Sequence, residues 1–237
     1  MEQESPGDRV VVVSPHLDDA VLSLGAAMAS WVRAGSAVEV LTILACDPES
    51  SSPPGGWDAR AGFSSEGDAA RSRRVEDAAA CGLLGAHPTW LPFGDSDYER
   101  HGDDDEVRAA VAEAVGAATT LLLPGSPLSH PDHEWVVRTI ADASLGAHRL
   151  GFYAEQPYTA RSRAGPATAP WLEVGLGATL TFQPARLGAR DRLAKWRAIC
   201  AYRSQLPLLA LDRRRALALA TRPELVAWVA EADRMPH

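Results

Sequence analysis

The sequence has few cysteines and no apolar run long enough to cross a bilayer. Its three cysteines, Cys46, Cys81 and Cys200, are an odd number, widely spaced and set in apolar runs. This pattern is typical of reduced core residues and counts against a disulfide framework or a thiolate metal site. The N-terminal segment MEQESPGDR is acidic and polar, unlike the basic start of a secretory signal. We therefore expect a soluble, cytoplasmic protein that does not span a membrane.

A concentrated basic stripe is also missing. The net charge is -8 and the isoelectric point is near 5.4, with acidic and basic residues mixed along the chain. Proteins that bind phosphate backbones usually carry clustered cations, so nucleic acid is not an expected partner.

A glycine-rich phosphate loop is absent as well. The turn SPHLDDAV lacks the G-x-G-x-x-G pattern that lets backbone amides approach a pyrophosphate. It also places carboxylates where a phosphate would be repelled. Both points count against a sugar- or nucleotide-binding module without chemistry, which stays open as an alternative.

Strand and helix patterns alternate along most of the chain. The predicted strands are Val10–Val13, the run AVEVLTILAC from Ala37, Thr89–Leu91, Thr119–Pro124, HRLGFYAEQPY (148–158) and ATLTFQP (178–184). The predicted helices are Ala20–Ala34, Gly67–Leu84, Asp104–Ala118, Pro131–Ser144, Ala189–Gln205 and Pro223–Asp233, with a long loop at Pro48–Ser65. Such alternation predicts an α/β, Rossmann-like fold: a mostly parallel sheet with helices on both faces. We expect one domain, residues 1–237, with a less regular C-terminal third.

Two polar clusters follow predicted strands. His16, Asp18 and Asp19 come directly after the first strand, and His130, Asp132 and His133 come after the strand TTLLLP. Ligands of open parallel sheets bind outside the carboxyl ends of the strands, so both clusters are expected at one edge. An aspartate before a helix is often only a cap, but two clusters that each pair aspartate with histidine make capping a poor explanation.

Two imidazoles and a carboxylate are a known donor set for catalytic Zn²⁺, which keeps one position open for water. Water bound there ionises near neutral pH and can attack a carbonyl while a nearby carboxylate takes its proton. Fe²⁺ would also accept these donors. The clusters therefore predict a metal-dependent hydrolase.

The motif PHLDDAVLSLGA follows the pattern P-H-x-D-D-x-x-L-x-x-G-G except at its last position, Ala26, and SHPDH contains the pattern H-x-D-H. In this respect the chain resembles the PIG-L/LmbE-like family of zinc-dependent N-acetylglucosaminyl deacetylases. The runs RSRRVEDAAACGLLG and KWRAICAYRSQL are similar to two further helices of that family. Many members have proline, glutamate and glycine where this chain has Leu17, Ala20 and Ala26, and none of these positions is an expected ligand.

The resemblance implies a role for each cluster residue. His16, Asp19 and His133 would hold the zinc, and Asp18 would be the general base that activates the water. His130 would stabilise the tetrahedral oxyanion and protonate the leaving amine, and Asp132 would orient one of the imidazoles.

Two residues are candidate substrate contacts. Arg73 matches the arginine of the family's R-x-x-E helix, which reaches the sugar or its phosphate in relatives. A salt bridge to Glu76 or Asp77 on the same helix is equally open. Asp95 lies near a strand end and could contact a sugar hydroxyl, whereas the rest of Pro92–Glu106, with His101, is expected to be solvated.

Position alone makes other residues candidates for the pocket wall. Trp57 and Phe63 lie in the long Pro48–Ser65 loop and could form a lid. Tyr153, Glu155 and Tyr158 follow a predicted strand and could line the pocket.

The resemblance implies removal of the N-acyl group, acetyl in the family, from an amino-sugar-containing small molecule or glycoconjugate by zinc-activated water. One alternative is an amidase acting on another sugar-linked amide, such as a thiol conjugate. The non-catalytic sugar- or nucleotide-binding module is the other.

Overall fold

The computed structural model describes residues 6–98, 103–141, 145, 147, 149–161 and 167–229. Its strands are β1 (Arg9–Ser14), β2 (Ala37–Thr42), β3 (His87–Trp90), β4 (Thr120–Ser126), β5 (Arg149–Ala154), β6 (Gln183–Pro184) and β7 (Leu225–Trp228). Its helices are α1 (Asp19–Arg33), α2 (Gly56–Ala61), α3 (Glu66–Leu84), α4 (Asp104–Val115), α5 (Pro131–Ile140), α6 (Tyr158–Arg161), α7 (Pro170–Leu176), α8 (Ala189–Ile199) and α9 (Arg213–Ala220). No helix within these ranges is long and apolar enough to cross a membrane.

The strands form one sheet in the order β3-β2-β1-β4-β5-β7-β6. The five strands from β3 to β5 are parallel, and β7 and β6 complete the sheet in antiparallel pairing. The expectation of a mostly parallel α/β sheet is confirmed.

The alternation of side chains along β1 divides the core into two layers. Val11 and Val13 face one layer, where they pack with apolar side chains of α4 and α5. Val10 and Val12 face the other, which is covered by α1, α3 and α8. A strand buried on both faces must be apolar throughout, which explains the run of four valines.

The sheet order brings three loops to one edge. β1 lies beside β4, and β4 lies beside β5, all parallel, so Ser14, Ser126 and Ala154 end their strands on the same side. The residues after these three strand ends therefore meet at the carboxyl edge of the sheet.

A buried ion pair packs against the side of α1. Lys195 Nζ lies 2.7 Å from Glu224 Oε1, and both side chains are fully buried. The Glu224 carboxylate accepts hydrogen bonds from the backbone N–H groups of Ala26 and Ala27 in the middle of α1. Gly25 allows this approach, because a Cβ there would lie 2.9 Å from Lys195 Cγ.

The C-terminal third differs from the prediction. The expected helix Pro223–Asp233 is wrong over its described part: Leu225–Trp228 is strand β7, which pairs with β5 and β6. The Glu224 side chain is directed into α1. Residues 230–233 lie outside the described ranges. The apolar run LVAW is compatible with a helix or a strand, and it forms a strand because it pairs with the edge of β5.

Smaller differences lie at element ends. The predicted strand at 178–184 is confined to Gln183–Pro184, and the helix from Ala189 ends at Ile199 instead of Gln205. The Pro48–Ser65 loop contains the short helix α2. The described part of the helix from Pro131 ends at Ile140, and Ser144, His101 and His148 lie outside the described residues.

Candidate metal centre

The turn from β1 into α1 is held by its own side chains. Ser14 Oγ donates a hydrogen bond to the His16 carbonyl oxygen at 2.6 Å and accepts one from the Ala20 N–H at 3.0 Å. The backbone of Asp18 has a φ of 120°, a value that side-chain-bearing residues rarely adopt. Strain of this kind costs about 1–3 kcal/mol and is typical of functional sites.

Three side-chain atoms from the two clusters converge at one point. His16 Nδ1 lies 3.2 Å from Asp19 Oδ2 and 3.1 Å from His133 Nε2. His133 Nε2 lies 3.1 Å from the same Asp19 oxygen. These atoms form a nearly equilateral triangle, which we call the donor triangle.

The remaining nitrogen of each imidazole contacts a carboxylate. His16 Nε2 lies 3.1 Å from Asp132 Oδ2, and His133 Nδ1 makes a short hydrogen bond to Glu155 Oε1. The second Glu155 oxygen accepts from the Leu128 N–H at 2.9 Å. If each imidazole donates its proton to its outer carboxylate, both ring lone pairs face the donor triangle.

The donor triangle fits a divalent metal ion. Ligand atoms about 2.0–2.1 Å from a tetrahedral ion lie about 3.3 Å from one another, close to the spacing of the three atoms here. Three lone pairs aimed at one point repel each other unless a cation or a proton lies between them. His16, Asp19 and His133 could therefore hold a metal ion.

A second donor set is possible. Nitrogen atoms of His16, His130 and His133 lie within 4.8 Å of one another. The Nδ1 of His130, however, already accepts a hydrogen bond from the Asp132 N–H at 3.2 Å. The donor triangle is tighter than this group of three histidines, so Asp19 is the better third ligand.

The carboxylates also attract protons to this site. Burial lowers the pKa of His16, but hydrogen bonds with Asp132 and Asp19 outweigh it and raise the pKa from 6.5 to about 9. Burial likewise lowers the pKa of His133, while Asp19 and Glu155 raise it well above its usual value. The centre thus favours bound positive charge.

Asp18 lies beside the donor triangle without joining it. Its side chain is buried and lines the adjacent cavity. Burial, and then the charge of Asp19, raise the pKa of Asp18 from 3.8 to about 8, while the Arg73 guanidinium lowers it. A carboxyl group with a pKa in this range can exchange a proton near neutral pH.

His130 and Asp132 have different surroundings. His130 is half-buried at the start of α5 and faces the cavity, and burial together with His16 and His133 lowers its pKa. Asp132 is fully buried, and its Oδ2 accepts from the N–H and hydroxyl of Ser96 as well as contacting His16. Asp132 is therefore placed where it could orient the His16 ring.

Arg73 is close to the centre, but neither suggested ion pair forms on its own helix. Its guanidinium lies 3.2 Å from Asp58 Oδ1, and Asp58 also accepts from the Tyr98 hydroxyl. Asp77 accepts hydrogen bonds from Tyr202 and Trp90 instead. The salt-bridge alternative within α3 is therefore wrong, and Arg73 instead joins α3 to α2.

A cavity of about 470 Å³ opens in front of the donor triangle. It is lined by His16, Asp18, Asp19, Leu22, Gly56, Trp57, Arg60, Arg73, Asp95, Ser96, Asp97, His130, Asp132, Pro157, Tyr158, Gln205 and Leu209. Of the residues expected in the pocket wall, Trp57 and Tyr158 line the cavity and Phe63 does not. Tyr153 is buried, and its hydroxyl donates a hydrogen bond to the Val13 carbonyl oxygen. The Trp57 indole donates to Gln205 Oε1 at 2.7 Å and closes one side.

The sequence did not assign Glu155, Ser96, Gln205 and Leu209 to these positions. Glu155 was a candidate for the pocket wall only because it follows a strand. The signal that could have identified it is its place at the carboxyl end of β5, next to the strand that leads to His133.

Fold and site together define a Rossmann-like α/β protein with a cluster of histidines and carboxylates, of a kind that can hold a metal ion, at the carboxyl edge of its sheet. The chain belongs to the PIG-L family, described as GlcNAc-PI de-N-acetylase, whose model matches residues 11–144, more than half of the chain. The expected family is thereby confirmed. A search among curated proteins found no match.

Solved structures extend the similarity beyond the matched segment. The A40926 pseudoaglycone deacetylase Dbv21 is 27% identical with a TM-score of 0.73, over 93% of this chain and 96% of that one. A triple mutant of a deacetylase of the teicoplanin biosynthetic pathway is 25% identical with a TM-score of 0.74, over 94% and 98%. A 4-carboxy-2-hydroxymuconate hydratase from Pseudomonas putida, 18% identical with a TM-score of 0.56 over 94% and 97%, shares the fold alone.

Proposed function

We propose that the protein is a metal-dependent hydrolase that removes an N-acyl group, acetyl by family, from an amino-sugar-containing small molecule or glycoconjugate. The donor triangle with Asp18 beside it is the observation that carries this proposal. Membership of a de-N-acetylase family and similarity to two deacetylases support the reaction class.

His16, Asp19 and His133 would hold the ion, and Zn²⁺ is the proposed metal, with Fe²⁺ as the other candidate. A divalent ion supplies Lewis acidity to the acyl carbonyl and to the attacking water. Asp132 and Glu155 keep the two imidazoles in the tautomers that point lone pairs inward.

Asp18 is the proposed general base and takes the proton of the attacking water on its carboxylate. A divalent ion in the donor triangle would lower the raised pKa of Asp18, as the Arg73 guanidinium already does in part, and would thereby favour the ionised carboxylate. His130 reaches the cavity from the opposite cluster, where it would stabilise the oxyanion and give a proton to the leaving amine.

Arg73 and Asp95 are the proposed sugar contacts. Both line the cavity in front of the donor triangle. Arg73 is held by Asp58, so its guanidinium has a fixed direction. Burial raises the pKa of Asp95, and a more basic carboxylate is a stronger acceptor for a hydrogen bond from a sugar hydroxyl.

A cytoplasmic location is also proposed. The three cysteines are unpaired, and two of them are buried, so the fold does not rely on an oxidising compartment.

The test combines metal analysis with acetate release from N-acetylglucosamine and its glycosides. We expect about one metal ion per chain in the wild type, and His133→Ala should lose both metal and activity. Asp18→Asn should keep the metal while kcat falls by about 10²- to 10⁴-fold. Asp104→Asn, an exposed position on α4, is the matched control and should change neither.

Two results would contradict the proposal. Cleavage of a thiol-conjugate amide without any acetate release would replace the deacetylase by the amidase. Absence of bound metal and of all amide cleavage after addition of Zn²⁺ or Fe²⁺ would favour the binding module.

A further inference from the structure

A second cavity adjoins the one in front of the donor triangle. Its volume is about 340 Å³, and it shares Pro157 and Leu209 with the first cavity. The two cavities are therefore neighbouring parts of one cleft, which begins at the donor triangle and continues over these two apolar residues.

The second cavity combines an apolar floor with cationic side chains. Ala210, Leu211, Ala218 and Leu219 continue the apolar surface, and Arg215 and Arg222 are the other described lining residues. Arg215 Nη1 donates a hydrogen bond to the Ala210 carbonyl oxygen at 2.9 Å, which fixes the guanidinium at the wall. Among the residues that the structure describes, no acidic one lines this cavity.

The surrounding segment is basic although the chain as a whole is acidic. Between Arg190 and Arg222 the sequence has nine arginine and lysine residues against two aspartates, while the net charge of the chain is -8. Acidic residues outnumber basic ones in the first cavity, which is lined by five aspartates and by the two arginines Arg60 and Arg73. The charge of the cleft thus changes from negative near the donor triangle to positive at its far end.

We propose that Arg215 and Arg222 form a subsite for an anionic group, a carboxylate or phosphate, on the part of the substrate remote from the scissile amide. An apolar part of the same substrate lies over Pro157 and Leu209 between the amino sugar and the anion. This inference rests on the proposed function and narrows its substrates to amphiphilic, anionic glycoconjugates.

Arg60 is the competing position for the anion, because it also lines the first cavity. Its guanidinium lies over the Trp57 ring, 4.8 Å from the ring centre, and the same cavity contains the five aspartates. An anion there would meet like charge. The second cavity offers two guanidinium groups without that repulsion.

The first measurement is binding by calorimetry, which does not depend on turnover. The probes are two alkyl glucosides of equal chain length, one ending in a carboxylate and one in a methyl group, neither of which contains an amide. We expect the carboxylate probe to bind about tenfold more tightly at low salt, with the preference reduced at high salt. Arg215→Gln and Arg222→Gln should each lower that preference by about three- to fivefold.

Arg214→Gln is the matched control, since Arg214 is exposed on α9 and lines neither cavity. It should retain the preference for the carboxylate probe. Loss of the preference in Arg60→Gln instead of the two α9-side variants would overturn the subsite. Inorganic phosphate that binds as tightly as the carboxylate probe would also overturn it, because the site would then be a free-anion site.

The same pair of head groups is then tested in hydrolysis with N-acetylated glucosaminides. Faster cleavage of the carboxylate compound, expressed as kcat/KM and lost in Arg222→Gln, is the expected result. If neither compound is cleaved while the binding preference holds, the proposed hydrolysis fails and the anionic subsite stands. If both are cleaved equally and bound equally, the subsite fails and the hydrolase stands.

Discussion

At the scale of single residues, each imidazole of the centre uses its two ring nitrogens differently: one belongs to the donor triangle and the other contacts an outer carboxylate. His16 contacts Asp132 through Nε2 and the donor triangle through Nδ1, whereas His133 contacts Glu155 through Nδ1 and the triangle through Nε2. The outer carboxylates therefore decide which nitrogen of each ring is available to a metal ion.

We predict that Glu155→Gln weakens metal binding by about 10- to 100-fold, because the amide is a poorer partner for His133 and leaves the Leu128 N–H without its carboxylate acceptor. Competition with a chelator measures the metal Kd. Glu134→Gln, on the same helix as His133 but paired with Arg138 at the surface, is the control and should keep the wild-type Kd. An unchanged Kd in Glu155→Gln would exclude the orienting role.

The six cluster residues could be predicted from the sequence, whereas Glu155 could not be given its role. The clusters combine aspartate with histidine after recognisable strands, and the structure brings all six around one point. The contact of Glu155 with His133 depends on β5 lying next to β4. Strand order is a property of the whole sheet, which local patterns do not contain.

At the scale of elements, the middle of α1 is contacted by a buried ion pair that the sequence of the helix does not predict. The Lys195–Glu224 pair meets the backbone of α1 at Ala26 and Ala27, and Lys195 Nζ also donates to the Ser23 carbonyl at 3.3 Å. Burial is the main influence on Lys195 and lowers its pKa, although Glu224 acts to raise it. The pair links α8 and β7 to the helix that begins at Asp19.

We predict that Lys195→Met destabilises the protein by about 3–5 kcal/mol, because the buried Glu224 carboxylate loses its cation. The double variant Lys195→Met, Glu224→Gln should recover much of that loss. Unfolding midpoints of the two single variants, the double variant and the wild type give the coupling. A double variant as unstable as the sum of both single changes would show that the two groups do not interact.

The wrong prediction of a helix at β7 has the same physical origin as the missed role of Glu155, because both depend on the order of the strands in the sheet. Residues 225–228 carry apolar side chains that suit a short helix as well as a strand, and a single sequence does not show that β5 has a free edge. The first half of the chain was easier to predict, because buried parallel strands and amphipathic helices alternate there with clear patterns.

At the scale of the whole molecule, metal binding should couple to stability. The donor triangle exists only in the folded chain, so a bound ion stabilises the fold by about 2.7 kcal/mol at a concentration about a hundred times its Kd. We predict a rise of several degrees in Tm when Zn²⁺ is added to chelator-treated protein.

This rise should grow between pH 6 and pH 8. The pKa of His16 is raised from 6.5 to about 9 in the metal-free fold, so protonated His16 stabilises that fold fully below pH 6.5 and loses this effect as pH rises through about 9. Metal needs the proton-free imidazole, so its advantage over the metal-free state increases over the same range. His87→Gln, at an exposed histidine, should behave as the wild type. A Tm shift independent of pH would contradict the assignment of His16 as a ligand.

The pairing of β1 with β4 sets the order in which the protein can assemble. His16 and Asp19 are neighbours in the chain, but His133 follows His16 by 117 residues and reaches it only when these two strands lie side by side. Closing so long a segment costs chain entropy, and contacts between distant parts of the chain form slowly for that reason. The complete set of donors appears only after the segment has closed. A metal ion would therefore bind to a nearly finished fold, and its effect on kinetics would fall on the rate of unfolding instead of the rate of folding.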